Sequence, residues 1–431
     1  MVAELVHPLG GGVEEPPKPK AQQAPPKRRV AVLDGLRGFA AIGVLLTHSS
    51  YAAGIMDVGT KKGWPVFDWL TVGLTVTLAP FFLLSGMLLY RSFARATFAG
   101  TSRPPLVPFF VRRGLRILPA YWVFVAITMV TLNLTAITGP WYVLRPMLLL
   151  HYFVGIDNAY YPGLEITWSV VTEVTFYLLL PIGAWLITKY ARRVTDPARQ
   201  LRRIIWSLSP FILLGLGWEV YTHLPSMGQY PIQMSWPPGF LGLMAIGMMF
   251  GALSAYYEVT GKEPWIYRLA AKSPLSWWAA ALAVYILNCV KPLQAGPSGD
   301  WPPISQALMD HALFLLFAVL VTVPLIAPSA RSRLMDGLLG NKVSAFLGRI
   351  SFGVYLWHFP MMYFAFRMGS LFGNPTQQMD AVIGTVNAWQ LLGEVLVGSI
   401  ILATLSHYLI ERPAGRLGGR LVRSGAPTAT L

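Results

Sequence analysis

LDGLRGFAAIGVLLTHSSY, residues 33–51, decides the architecture. A bilayer's hydrocarbon layer of about 30 Å is crossed by about 20 predominantly apolar residues, and this stretch has that length and character. It nevertheless carries Asp34, Arg37 and His48. An ionisable side chain inside a spanning helix is costly, so it signals a functional site by default. His48 lies eleven residues beyond Arg37. At about 100° per residue that is three turns plus roughly 20°, which puts both side chains on one face, separated by about 16 Å along the axis. A packing histidine with a snorkelling arginine is the structural alternative.

The rest of the chain follows the same pattern. Of its 431 residues, 54% are hydrophobic and only 12% charged, against about 25% charged in an ordinary soluble protein. A soluble domain with so little charge could not cover its own surface, so lipid is the solvent for much of this chain. Nine further apolar stretches of spanning length occur at 66–90, 108–131, 166–190, 204–221, 239–257, 274–290, 305–327, 345–368 and 386–410. The expectation is an all-α, polytopic transmembrane bundle of ten spanning helices in a cell membrane.

Charge placement orients the bundle. Lys and Arg fall in bursts at 18–29, 91–116, 189–203, 262–272, 331–349 and 412–423. Ten spans with both termini cytoplasmic bring every burst to the inner side, as the positive-inside bias requires. Lys61, Lys62, Arg145, Lys291 and Arg367 are the outer exceptions. The apolar stretch 141–153 holds Arg145 and His151, and an eleventh span there would break the pattern, so it reads as an interfacial or re-entrant segment on the outer face. The net charge of +15 is therefore a topology signal rather than a nucleic-acid footprint. Residues 1–30, with PPKPK and APPKRR, read as a disordered basic tail and not a signal peptide. Residues 31–413 read as one membrane domain and 414–431 as a second cytoplasmic tail, with nothing after Ile410 long enough for a further domain. The single cysteine, Cys289, leaves no internal disulfide and no thiolate metal site, and no metal is expected.

Two more spans carry chemistry. In TWSVVTEVTFYLLLP, residues 167–181, Glu173 lies about 10 Å below the outer surface, and His48 about 22 Å from the inner end of its own helix. In a layer of about 30 Å those depths nearly coincide, which pairs the two. A carboxylate that orients an imidazole makes a general-base unit; the alternative is that Glu173 bonds Trp, Tyr or Ser groups and serves packing. FFVRRGLRILPAYW, residues 109–122, clusters Arg112, Arg113 and Arg116 at one helix end. Arginine forks match phosphate geometry, although arginines at an inner helix end also hold topology or bind anionic lipid. His358 falls near the middle of the ninth span, where it lines a pathway or bonds a neighbouring helix. His407, Glu411 and Arg412 read as an interfacial anchor, and His311 and Glu394 carry no clear assignment. The phosphate-loop, serine-elbow and HExxH patterns are absent.

Six pieces in order, LDGLRGFAAIGVLLTH, FFLLSGMLLY, FFVRRGLRILPAYW, TWSVVTEVTFYLLLP, SFGVYLWHFP and HYLIERP, resemble the acyltransferase-3 family of membrane O-acyltransferases, over residues 32–413. The resemblance implies transfer of an acyl group, acetyl foremost, from acyl-CoA to a carbohydrate or glycolipid hydroxyl. The family's Arg–x10–His pattern falls on Arg37 and His48, and its Arg-x-x-Arg pattern on Arg113 and Arg116. Its Trp-Ser…Glu…Phe-Tyr pattern falls on Trp168, Ser169, Glu173, Phe176 and Tyr177. Two adjacent acidic residues often stand there, whereas this chain has Thr172 and Glu173, which puts a paired-carboxylate role in doubt. Some relatives carry a C-terminal esterase-like domain, for which this chain is too short. The resemblance makes Arg37, Arg113 and Arg116 contacts to the acyl-CoA phosphates, with Asp34 nearby. It makes His48, steadied by Glu173, either the base for the acceptor hydroxyl or a transient acyl carrier. The rival from another class is a transporter or flippase for a lipid-linked sugar, against which stands the lack of an inverted repeat. A membrane scaffold or sensor would leave the buried Arg37, His48 and Glu173 without a chemical return.

Overall fold

The computed structural model describes residues 27–57, 63–153, 161–297, 299–372 and 379–424. The expected tail before Lys27, Lys61 and Lys62 lie outside the described residues. The described chain is helical throughout, without an extended strand. Helix α1 spans Lys27–Ala52, beginning a turn before the expected boundary at residue 30. Helix α2 (Pro65–Gly73) passes through a 3-10 turn, Leu74–Leu78, into α3 (Ala79–Phe98). There follow α4 (Leu106–Leu132), α5 (Pro140–Met147), α6 (Trp168–Ala191), α7 (Pro197–Leu208) and α8 (Pro210–Thr222). The second half comprises α9 (Leu241–Thr260), α10 (Trp265–Lys272), α11 (Pro274–Val290), α12 (Ile304–Ile326), α13 (Arg333–Leu339), α14 (Lys342–Ala365), α15 (Ala388–Ser406) and α16 (Arg412–Ser424).

Each of the ten expected segments coincides with a helix or a continuous helix pair. Among the described residues eight are long and apolar enough to cross a membrane, and α10 with α11, bent by 92°, counts as a ninth if the pair is a single span. Helix α14 has the length but not the apolarity, because Arg349, Ser351 and His358 interrupt it. Its position explains why this is tolerated: α14 packs between α1 and α15 and turns Ser351 and His358 to protein, while Arg349 near its start stays exposed. The outward face of α6 shows the converse, with Leu178, Leu179, Ile182 and Leu186 all exposed, a stripe that only lipid would cover. Helix α5, at eight residues, is too short to cross, and the 414–431 segment is helical as far as Ser424.

Close approach of backbones holds the bundle together. Without a hydrophobic drive between helices in lipid, association relies on packing through small residues. A Cβ on Gly38 of α1 would come within 2.7 Å of the Gly348 nitrogen of α14, and one on Gly348 would collide with the Asp34 carbonyl oxygen. Helices α3 and α9 meet similarly, with Gly86 against the Met244 carbonyl and Gly247 against that of Leu83. Because the obstacle is backbone, it cannot swing aside. Gly348→Leu therefore forces α1 and α14 apart at a cost of about 3 kcal/mol, the upper range for overpacking. Detergent melting curves check this against Gly183→Ala, where no neighbour lies within 4 Å; the first variant melts several degrees lower and the second with the wild type.

Candidate active site

Two adjoining centres lie in the bundle, near the end where Arg116, Arg349 and Arg412 gather and at mid-depth above it. The lower one is a cavity of about 360 Å3, a usual size for a small-ligand site. Helix α1 contributes Asp34 and Arg37, α3 Ser85, and α4 Arg116. Helix α6 contributes Ser169, Glu173 and Tyr177, and α14 Arg349 and Tyr355. A π-helical turn at His407–Glu411 joins α15 to α16 and supplies His407, Glu411 and, just after it, Arg412. Such single π turns recur at functional sites because the extra residue re-aims side chains. Four guanidinium groups thus face one space, answered by Asp34, Glu173 and Glu411.

The carboxylates are engaged. Arg37 pairs with Asp34 at 3.5 Å. Glu173 accepts hydrogen bonds from Ser85 Oγ at 2.9 Å and from Tyr177 Oη, and both Arg37 and Arg113 lie within its electrostatic reach. Glu411 stands 3.3 Å from both His407 Nδ1 and Ser406 Oγ. Among the described residues, Arg116 makes no hydrogen bond or ion pair.

The upper centre is a pair of histidines. His48 Nδ1 lies 2.9 Å from His358 Nε2, with the rings stacked at 5.1 Å and 10°. Phe359 meets the His48 ring edge-on at 5.0 Å. The other nitrogen of His358, Nδ1, is 2.6 Å from the Tyr355 carbonyl oxygen and 3.3 Å from that of Val354. A carbonyl only accepts, so Nδ1 of His358 carries the hydrogen, and in the neutral ring Nε2 is then the acceptor. His48 Nδ1 must therefore donate to it, which leaves the lone pair of His48 on Nε2. That atom hydrogen-bonds to no described residue. His358 is fully buried and His48 only half-buried. A fixed tautomer with a free, reachable Nε2 is what a general base or nucleophile needs.

The expected pairing of His48 with Glu173 is not the one found. Depth does not decide which helices touch, and α1 packs along α14 rather than α6. Tyr355 Oη of α14 donates to the Ile166 carbonyl at 3.0 Å, and Tyr363 Oη to Glu165 at 2.5 Å. The 3-10 turn Glu165–Thr167 that opens α6 thus lies against the C-terminal half of α14, roofed by His151, whose Nε2 is 2.7 Å from Thr167 Oγ1. Burial pushes the His151 imidazole down to about 3, so it is neutral at pH 7. Helix α6 delivers Glu173 two turns further on into the arginine cavity, whereas His48 takes its partner from α14, the helix on which α1 packs.

Other expected residues divide between the centres. Asp34, Arg37, Arg116, Ser169, Glu173 and Tyr177 line the cavity. Arg113 stands beside it, and Trp168 stacks on Phe240 at 4.7 Å and Phe82 at 6.1 Å instead of facing it. Tyr355 links the two centres: it lines the cavity, its ring is 5.8 Å from that of His358, and its carbonyl fixes the His358 tautomer. Tyr355, Arg349 and Ser85 were not singled out from sequence. Arg349 sat in a basic burst indistinguishable from topology charges. Among the described residues no group of three His, Cys, Asp or Glu side chains is placed to hold a metal.

A family model described as an acyltransferase domain matches residues 30–408. Nodulation protein 10 of Rhizobium leguminosarum bv. viciae is 27% identical over 417 residues, which cover 90% of this chain and 94% of that protein. A Bacillus subtilis protein named "Putative peptidoglycan O-acetyltransferase YrhL" is 23% identical over 91% of this chain and 56% of its own length. A Staphylococcus aureus protein named as an O-acetyltransferase of the same provisional kind is 23% identical over 91% and 58%. The chain thus spans little more than half the length of these last two. No solved structure matches.

Proposed function

The chain belongs to the acyltransferase-3 family, and from that premise we propose that it is a multi-pass cell-membrane O-acyltransferase that moves an acyl group, acetyl foremost, from acyl-CoA to a hydroxyl of a carbohydrate or glycolipid. In this reading ten helices cross the bilayer with both termini cytoplasmic, so the arginine cavity opens to the cytoplasm. The CoA phosphates lie against Arg37, Arg116, Arg349 and Arg412, whose planar forks suit them. Arg113 adds to the field. Glu173, held by Ser85 and Tyr177, keeps those cations ordered when no donor is bound. The pantetheine arm then climbs past Tyr355 toward His48, a rise of about 16 Å from Arg37 along α1.

The observation that carries the reading is the free Nε2 of His48, its tautomer set by His358, directly above a cavity of arginines. In the base mode, Nε2 takes the acceptor hydroxyl's proton as its oxygen attacks the thioester carbonyl, and the imidazolium returns that proton to the departing CoA thiolate. In the carrier mode, Nε2 itself attacks the carbonyl and the thiolate leaves; the acceptor oxygen then attacks the acyl carbon, the acyl–nitrogen bond breaks, and the hydroxyl proton passes to the CoA thiolate. Both modes leave positive charge on His48, which its Nδ1–H shares with His358. The O-acetyltransferase names among the relatives support the acetyl group, and family membership favours transfer over lipid-linked sugar transport.

The test is acetyl-CoA binding to detergent-purified protein, read as a thermal shift. A ligand that binds only the folded state raises the melting temperature. Stabilisation should appear in the wild type and disappear in Arg116→Ala/Arg349→Ala. Each single replacement removes a charge-assisted phosphate contact and raises the apparent KM for acetyl-CoA about tenfold, with kcat little changed. Equal stabilisation in the double variant would remove the donor from this cavity.

A further inference from the structure

One turn beyond His48 on the same side of α1, the bundle's opposite end forms a mouth that the reaction chemistry does not use. Tyr51 Oη donates to Asp380 Oδ1 at 3.0 Å. Asp380 belongs to a short 3-10 turn, Met379–Ala381, tied to α1 where the Gly384 nitrogen donates to the Ala52 carbonyl at 3.0 Å. Gly54 and Gly384, both at positive φ, let the two backbones touch there. A third segment is tied to the same place, with the Gly299 nitrogen donating to the Asp57 carbonyl at 2.9 Å. It carries Asp300 and Trp301. A fourth brings Tyr230, a residue 57% exposed whose ring is 5.0 Å from that of Trp301. Trp301 is held from beneath by His223, stacked at 4.3 Å and 9°. Asp300 and Asp380 both lie within electrostatic reach of Tyr51 and Tyr230.

Four separated segments therefore converge, bringing three aromatic rings, Tyr51, Tyr230 and Trp301, together with two carboxylates one turn of α1 beyond the catalytic histidine. An interfacial belt would also place Tyr and Trp at this depth, but a belt faces lipid and has no use for carboxylates among its rings. Broad aromatic faces with a few polar groups to fix orientation describe a ligand site. Ionised carboxylates only accept hydrogen bonds, so they suit a ligand rich in hydroxyl donors and repel an anionic one. We propose that Tyr51, Tyr230, Asp300, Trp301 and Asp380 form the acceptor subsite and that it selects an uncharged sugar over an anionic one. This rests on the acyltransferase reading, in which a sugar ring laid on Trp301 and Tyr230 offers its hydroxyl past Tyr51 toward His48, one turn earlier on α1.

The experiment is binding of three soluble probes, chitotetraose, maltotetraose and an oligogalacturonate of similar length, to the full chain in detergent, followed by saturation-transfer NMR. At least one uncharged oligomer binds the wild type, and the oligogalacturonate binds at least tenfold more weakly. Trp301→Ala weakens the uncharged oligomer roughly tenfold, whereas Trp301→Phe, which keeps a ring, retains most of the affinity. Asp300→Asn/Asp380→Asn narrows the gap between uncharged and anionic probes. Binding to none of the probes, preference for the anionic one, or equal affinity in Trp301→Ala and the wild type would overturn the proposal. Slow acetyl-CoA hydrolysis by the wild type reports separately on the acyltransferase reading. Sugar binding that follows these residues without any hydrolysis would sink that reading and leave the sugar site standing. Hydrolysis with residue-indifferent sugar binding would do the reverse.

Discussion

His48→Gln lowers acyl transfer by about 10²–10⁴-fold, the range that a positioned general base contributes, and leaves donor binding intact. Glutamine is polar and of similar size, so the site beside His358 and Phe359 stays filled and the melting temperature holds near that of the wild type. Its amide neither accepts a proton at neutral pH nor forms a reactive acyl species, so both chemical modes fail together. His48→Ala fails equally but also opens a void. The acetyl-CoA thermal shift persists in both variants because the arginine cavity does not include His48. Retention of full turnover by either variant would end the assignment. In the wild type, stopped-flow release of CoA without acceptor separates the two modes. A burst stoichiometric with enzyme marks the acyl carrier, and its absence marks the base. The burst is lost in His48→Gln if the carrier mode operates.

Much of this architecture is legible in the residues alone, because lipid imposes a severe rule. Every spanning segment must be long, apolar and helical, so each of the ten stretches coincides with a helix or helix pair, eight of them long and apolar enough to cross a membrane. Along α1, the eleven-residue interval also carries through: Arg37 reaches the cavity and His48 reaches α14, both turned to the bundle interior. What failed was the inference across helices. Depth alone matched Glu173 to His48, but depth does not say which helices touch: α1 packs along α14, whose Tyr355 and Tyr363 hold the first turn of α6. That anchoring joins residues 189 and 198 positions apart, which no local pattern encodes. The arginines were opaque for another reason. Arg349 and Arg412 have the sequence context of topology charges, and only the π turn and the packing of α14 on α1 bring them round to the cavity of Arg37 and Arg116.

His358→Phe should lower kcat by roughly 10–100-fold, the usual cost of losing the partner that orients a functional imidazole, with the apparent KM for the donor unchanged. Phenylalanine fills the space but offers no acceptor to His48 Nδ1–H. The His48 ring then loses its tautomer preference, and a fraction of molecules carries the hydrogen on Nε2, where it blocks reaction. His358→Gln restores an oxygen acceptor near the former Nε2 and recovers a large part of kcat. A merely structural role predicts the opposite order, since Phe packs against Phe359 and Tyr355 better than a buried amide does. The tautomer itself can be read in protein labelled with 15N-histidine. His48 shows a protonated Nδ1 and a bare Nε2 in the wild type and in His358→Gln, and a mixture in His358→Phe. A single His48 tautomer in all three proteins, or equal turnover in the Phe and Gln variants, would break the link between the two imidazoles. The chemistry would then rest on His48 alone, with no relay to the Tyr355 carbonyl.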